Sequence, residues 1–332
     1  IDIKTGEYRT KDNANTLFGM QYEPWFTSGY KSWLTSEAVP IMGFYNSFNE
    51  KVLRQHILWM MELGVDFILP DWSNHIWGCE HWREREPSVN KILHATECLL
   101  ETLSKMRAEG LSVPKVALMP GLSNGPPATM QALNEEIEWI YYNYLKNPRF
   151  DGLWQKFKGQ PLLVILDVEA KAQDSEKEVN DENFTVRWMS TQNQIFEHHK
   201  LGYWTWMDGI TDAPITYRKG EAEAATVSTA FFHRGGWTGP KAHGRRGGAT
   251  YLESFNNALP HRPEVILLHQ FNEFAGQRKG EGYGEDNDIY VDEYNVEYSD
   301  DIEPVSLTAP GYRGDDGGWG FYYLNLTKAL ID

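Results

Sequence analysis

Along most of the chain, short apolar runs ending in polar residues alternate with longer stretches of helical periodicity. The runs predict strands over 17–25 (LFGMQYEPW), 65–72 (VDFILPDW), 115–121 (KVALMPG) and 161–169 (PLLVILDVE). Four more follow over 184–190 (FTVRWMS), 203–208 (YWTWMD), 225–233 (ATVSTAFFH) and 265–273 (VILLHQFNE). The longer stretches predict helices. In 49–63 the residues Val52, His56, Trp59 and Leu63 form one stripe, and Gly64 stops it. A second helix over 88–109 is closed by Gly110. A third over 128–146 carries Leu133, Ile137, Ile140 and Tyr144 and ends at Asn147-Pro148. Shorter helices are predicted over 191–200 and 250–258, and a final packing helix over 319–330. The polar connection 171–182 supports a partial helix at most.

Eight continuous apolar runs separated by mostly helical crossovers predict a closed parallel (β/α)8 TIM barrel, because strands covered on both faces read as unbroken apolar segments. The rival, an open doubly wound sheet, would carry a glycine-rich turn after strand one; here that strand runs into Tyr22-Glu23-Pro24-Trp25-Phe26. No internal repeat, linker or low-complexity segment divides the chain, so residues 1–332 are expected to form a single catalytic domain with a loop-rich segment over 276–318.

Composition narrows the partners. With 31 basic against 47 acidic residues, the net charge of −16 repels a phosphate backbone, so no nucleic-acid partner is expected. No apolar run approaches the roughly 20 residues of a membrane helix, and no membrane partner is expected. A chain that opens on Ile1 rather than Met is expected to have lost a leader, and the expected location is secreted, periplasmic or at the cell surface. Two cysteines, Cys79 and Cys98, make no disulfide framework. Aromatics make up 14% of the residues, which suits either a large core or stacking against the apolar faces of sugar rings.

In a barrel the C-terminal ends of the strands face the site. Those ends carry Glu23, Asp71, Asp167, Glu169, Asp208 and Glu273, six carboxylates, together with His233 and Asn272. Desolvation at such positions raises a carboxyl pKa and lets the group act as an acid near neutral pH. Glycosidic cleavage needs one carboxyl to protonate the leaving oxygen and a second as nucleophile, base or assistant. Asp167 and Glu169 share parity, as do Trp204, Trp206 and Asp208, which would set aromatic surface beside a carboxylate. Strand-end acids also cap helices and close turns, so Asp71, Asp167 and Asp208 keep that structural reading too. His269, inside the last strand, is expected to be a satisfied interior group. No cofactor fingerprint appears, and no metal motif does; the acidic stretch 285–301 reads as a solvated loop before it reads as a calcium site.

Residues 267–277 (LLHQFNEFAGQ) resemble the motif of glycoside hydrolase families 99 and 71, a strand followed by Trp-Asn-Glu/Asp-Trp-x-Glu. Phe271, Asn272, Glu273 and Phe274 match in kind, as do Tyr22–Phe26, residues 64–72 (GVDFILPDW) and Ile302-Glu303-Pro304. The resemblance implies a (β/α)8 barrel glycosidase of retaining or anhydro-sugar type, with Glu273 as nucleophile or base. Asp208 or Asp167 would be the acid, with Asp71 and Glu303 as further candidates. Tyr22, Glu23, Trp25, Asp71, Trp72, Glu169, Trp204, Trp206, His233, Gln270 and Asn272 would bind a carbohydrate substrate. The family's second glutamate falls at Gly276, a departure that leaves open a non-catalytic carbohydrate-binding barrel and, behind it, a glycosyltransferase-like protein.

Overall fold

The computed structural model describes residues 15–28, 31–86, 89–122, 129–167, 179, 182–190, 202–207, 215–233, 235–314 and 316–332. The strands are β1 (Leu17–Tyr22), β2 (Phe67–Trp72), β3 in two pieces (Lys115–Val116 and Met119–Leu122) and β4 (Gln160–Asp167). They continue with β5 (Thr185–Ser190), β6 (Trp204–Thr205), β7 (Glu221–Ser228) and β8 (Val265–His269). Parallel ladders join β6-β5-β4-β3-β2-β1-β8-β7 in that order. Between β6 and β7 the ring is bridged by Thr226, whose hydroxyl donates to the carbonyl of Thr205. Short antiparallel pieces, Lys156–Phe157 and Thr216–Arg218, edge β4 and β7. The expected (β/α)8 barrel is what the chain forms.

The helices fit their sequence signals. In α1 (Glu50–Leu63) the Asn49 side chain accepts from the amide of Lys51, and Gly64 ends the helix at φ 80°, a left-handed conformation that suits glycine. In α2 (Lys91–Ala108) the Asn90 side chain accepts from Leu93, and in α3 (Met130–Ile140) Thr129 does the same for Ala132. The expected run to 146 continues as a single π turn over Tyr141–Leu145. Then come α4 (Ala249–Ala258) and α5 (Tyr322–Ile331), the latter starting three residues later than expected because Trp319 is used in packing against Phe274. The helix expected over 191–200 and the connection 171–178 lie outside the described residues.

Two apolar layers result. Phe67, Leu69, Met119, Val164, Leu166, Met189, Trp204 and Leu267 fill the barrel interior. Phe18, Met20, Tyr22, Ile68, Trp72, Leu163, Ile165, Ile266 and Leu268 pack outward against the helices. Gly19 faces inward because Phe67 occupies its side-chain space: a Cβ there would lie 2.3 Å from the Phe67 ring. At the N-terminal end of the barrel Glu223 accepts from Arg187 at 2.6 and 2.8 Å and from the Trp204 indole at 3.0 Å. These pairs satisfy polar groups that burial would otherwise leave costly. The segment after β8 folds back over the opposite end, with Ile302 and Glu303 donating to the carbonyls of Gln270 and Phe271.

Candidate active site

The strand-end rule and the alternation of side chains together decide which acids meet. Glu23 and Asp71 point inward and touch. Burial first, then the charges of Asp71 and Glu273, push the Glu23 carboxyl well above the usual carboxylate range. Gln270 donates to Glu23 at 2.7 Å, and Asn272 is spanned by the backbone of Glu23, accepting from its N–H at 2.9 Å and donating to its carbonyl at 3.2 Å. Asn272 also donates to the Tyr45 hydroxyl at 3.1 Å. These five side chains form a buried polar floor at the C-terminal end of the barrel.

Glu273 stands on that floor. Asp301 fixes the turn behind it by accepting from the amides of Glu273 and Phe274, the latter at 2.9 Å. Phe274 sits at φ 43°, a conformation that costs a non-glycine residue on the order of 1 kcal/mol and is tolerated where surroundings enforce it. Burial, then the charges of Asp300, Asp292 and Asp301, push the Glu273 carboxyl well above its ordinary value. Below it His269 bonds Gln21 and, at 2.9 Å, Asp300, as expected of a satisfied interior group. Burial opposes charge on Asp300, yet this histidine holds its pKa below the usual range. Asp301 is pushed up to about 7, by burial and then by Asp300. Arg245, stacked 3.9 Å over Trp319, donates to the carbonyl of Asp301. Glu273, Glu293 and Asp300 each bring one oxygen within 4.8 Å of the others, near enough to share a cation but short of the six to eight oxygens that calcium takes.

An open cleft of about 360 Å³ leads to Glu273. One wall is Trp25; another is the N-terminus of α2, with Asn90, Lys91 and Ile92; Ala275 and Asp292 complete the rim near Glu273. Among the described residues the buried Trp25 indole N–H has no hydrogen-bond partner. Asp292 is half-buried, and desolvation pushes its carboxyl up to about 6. Its loop is tied to the end of β8: the Gln277 side chain accepts from Val291 at 2.7 Å and Asp292 at 3.2 Å, and the amide of Glu293 donates to Ala275 at 3.0 Å. Asp292 was not among the sequence candidates. The signals that could have found it were the acidic stretch itself and the vacated carboxylate position at Gly276.

Several expectations need correction. Tyr22 and Trp72 point into the helix layer, where Tyr22 bonds His56 at 3.1 Å and Trp72 donates to Thr96 at 2.8 Å, so neither walls a subsite. Trp204 is buried low in the barrel on Glu223, away from the cleft. Trp206 lies against His269, ring centroids 4.4 Å apart, beneath the floor rather than in the cleft wall. Asp167 shares the outward face of Leu163 and Ile165 and accepts from Tyr203 at 2.8 Å. Glu303 is turned to Tyr45 and His56. His233 is half-buried in the segment after β7. Asp208 and Glu169 lie outside the described residues.

The chain is a (β/α)8 barrel whose carboxyl-rich C-terminal end opens to a cleft. Two solved structures of the GH99 endo-α-mannosidase from Bacteroides thetaiotaomicron, one in complex with bis-tris-propane, share this fold. That complex superposes with a TM-score of 0.64 at 17% identity, covering 95% of this chain and 96% of that one. The other gives 0.65 at 15% identity, with coverage of 96% and 98%. A glycoside hydrolase-like protein gives 0.60 at 13% identity, with coverage of 98% and 96%. No family model and no curated protein matches the sequence.

Proposed function

We propose that this protein is a glycoside hydrolase in which Glu273 is one of the two catalytic carboxyl groups. The observation that carries the reading is the placement of Glu273: it follows the last barrel strand, lies on a buried polar floor and opens into the cleft beside Trp25. A carboxyl kept protonated by burial and neighbouring anions can donate to a departing glycosidic oxygen near neutral pH. That role reverses the base function implied by the family resemblance. Trp25, which lines the cleft, offers its indole face to a sugar ring. The likeness to an endo-α-mannosidase makes α-mannosides the substrate class to test first.

The test compares wild type and Glu273→Gln on yeast α-mannan within a panel of plant, fungal and host-glycan polysaccharides, with products separated by chromatography. Wild type is expected to release oligosaccharides. The variant is expected to lose roughly 10²–10⁴-fold in rate while keeping the wild-type melting temperature. Normal turnover by the variant ends the proposal. A second reading, a non-catalytic carbohydrate-binding barrel, draws on Gly276, where the family's second glutamate is missing. Saturable quenching of tryptophan fluorescence by a glycan, with no products from wild type, would establish that reading instead.

A further inference from the structure

We infer that Asp292, supplied by the long loop after β8, is the second carboxylate of the catalytic pair and acts as the nucleophile opposite Glu273; this rests on the glycosidase reading above. The position at which the resembling families carry their second glutamate cannot hold one here. A Cβ on Gly276 would lie 2.5 Å from the carbonyl oxygen of Glu293 and 2.7 Å from that of Thr35. What closes that position is the same segment that brings in Asp292. Residues 291–293 pair with Ala275 and Gln277, so the carboxyl of Asp292 reaches the rim of the cleft that Glu273 floors. Further contacts brace this placement. Gln277 is held in turn by Arg313, which donates to its carbonyl at 3.0 Å and stacks on Tyr294 at 4.0 Å and Tyr290 at 4.6 Å.

Among the described residues no side chain pairs with the Asp292 carboxylate, which is left facing the cleft. Four buried acids around it are engaged: Glu23 by Gln270, Asp300 by His269, Asp301 by two backbone amides, Glu303 by Tyr45. Asp292 and Glu273 line the same cleft, and Asp292 lies near enough for its charge to act on Glu273. Of the two it is the more exposed.

The chemistry then runs in two balanced halves. The Asp292 carboxylate forms a bond to the anomeric carbon as the C1–O bond breaks. The departing oxygen keeps that bond's electron pair and takes the Glu273 proton. Water next attacks C1; its hydroxide stays on the sugar, its proton returns to Glu273, and Asp292 leaves as carboxylate.

The experiment uses two probes: yeast α-mannan, whose cleavage needs an acid, and α-mannobiosyl fluoride, whose leaving group needs none. Asp292→Asn is expected to melt like wild type and to lose at least 100-fold on both. Glu273→Ala is expected to fail on α-mannan yet react with the fluoride, accumulating one mannobiosyl adduct on the peptide that carries Asp292, released by azide. An Asp292→Asn variant that cleaves α-mannan at the wild-type rate, or an adduct on another residue, overturns the assignment while leaving the glycosidase reading intact. If wild type processes neither probe, the reading on α-mannosides fails and the assignment falls with it.

Discussion

At the scale of single residues, the site is governed by what burial does to carboxyl groups. Asp292 is raised to about 6 by desolvation alone, whereas Glu273 is raised further by burial and by the charges of Asp300, Asp292 and Asp301. Lys91, also half-buried on the facing wall, is the cation that lines the same cleft among the described residues. A nucleophile works as its anion, so kcat/KM should fall as pH drops through about 6, with unit slope, when Asp292 takes up a proton. The alkaline limb should mark the loss of the Glu273 proton. Initial rates on α-mannan between about pH 4 and 9 would read both limbs. An acid limb near the ordinary carboxylate value of about 4 would remove the desolvated Asp292 from the mechanism.

Secondary-structure elements explain which parts of this site could be read from the amino acids alone. All eight strands and the placing of Glu23 and Asp71 at strand ends were legible, because apolar runs and their polar termini are local features; the last strand stops at His269, so Asn272 and Glu273 lie just beyond it. The phase of each strand was not. In a barrel both faces are apolar, so alternation does not reveal which residues face inward. Tyr22 and Glu23 are neighbours that point to opposite layers, and so are Asp71 and Trp72. Asp292 was hidden for a different reason: its position depends on pairing with Ala275 and Gln277, and no periodicity in a loop records that. The same pairing makes a prediction about Gly276. With carbonyl oxygens at 2.5 and 2.7 Å from a built Cβ, Gly276→Ala should force the loop from the strand end and cost about 1–3 kcal/mol in urea unfolding. Gly276→Glu should fail to add activity for the same reason. A stable, more active Gly276→Glu protein would show that the family's second carboxylate can be restored and that the loop is no substitute for it.

For the molecule as a whole, the carboxyl cluster sets the sign of the dependence of stability on pH. Glu23, Glu37, Glu273 and Glu293 are all pushed up, first by burial and then by one another's charges or those of nearby aspartates. Asp301 is raised to about 7 and Asp292 to about 6. Unfolding returns each group to an ordinary value near 4, so between about pH 4 and 7 the native state holds protons that the unfolded chain has released. A raised folded pKa therefore gives stability that is present at low pH and is lost as pH rises through that window. Each such group contributes up to about 1.4 kcal/mol per pH unit. Asp300, lowered by His269 in spite of its burial, works in the opposite sense, but it is one group against several. The net −16 charge adds self-repulsion that grows in the same direction. The melting temperature should accordingly be several degrees higher at pH 5.5 than at pH 8, and the gap should shrink in Asp301→Asn, which removes one of the titrating groups. Calorimetry across that range would check it. A flat or rising profile would mean that these carboxyl groups are not held by shared protons. A divalent cation bridging Glu273, Glu293 and Asp300 would then be the alternative, detectable as a rise in melting temperature on adding a divalent metal salt at pH 8.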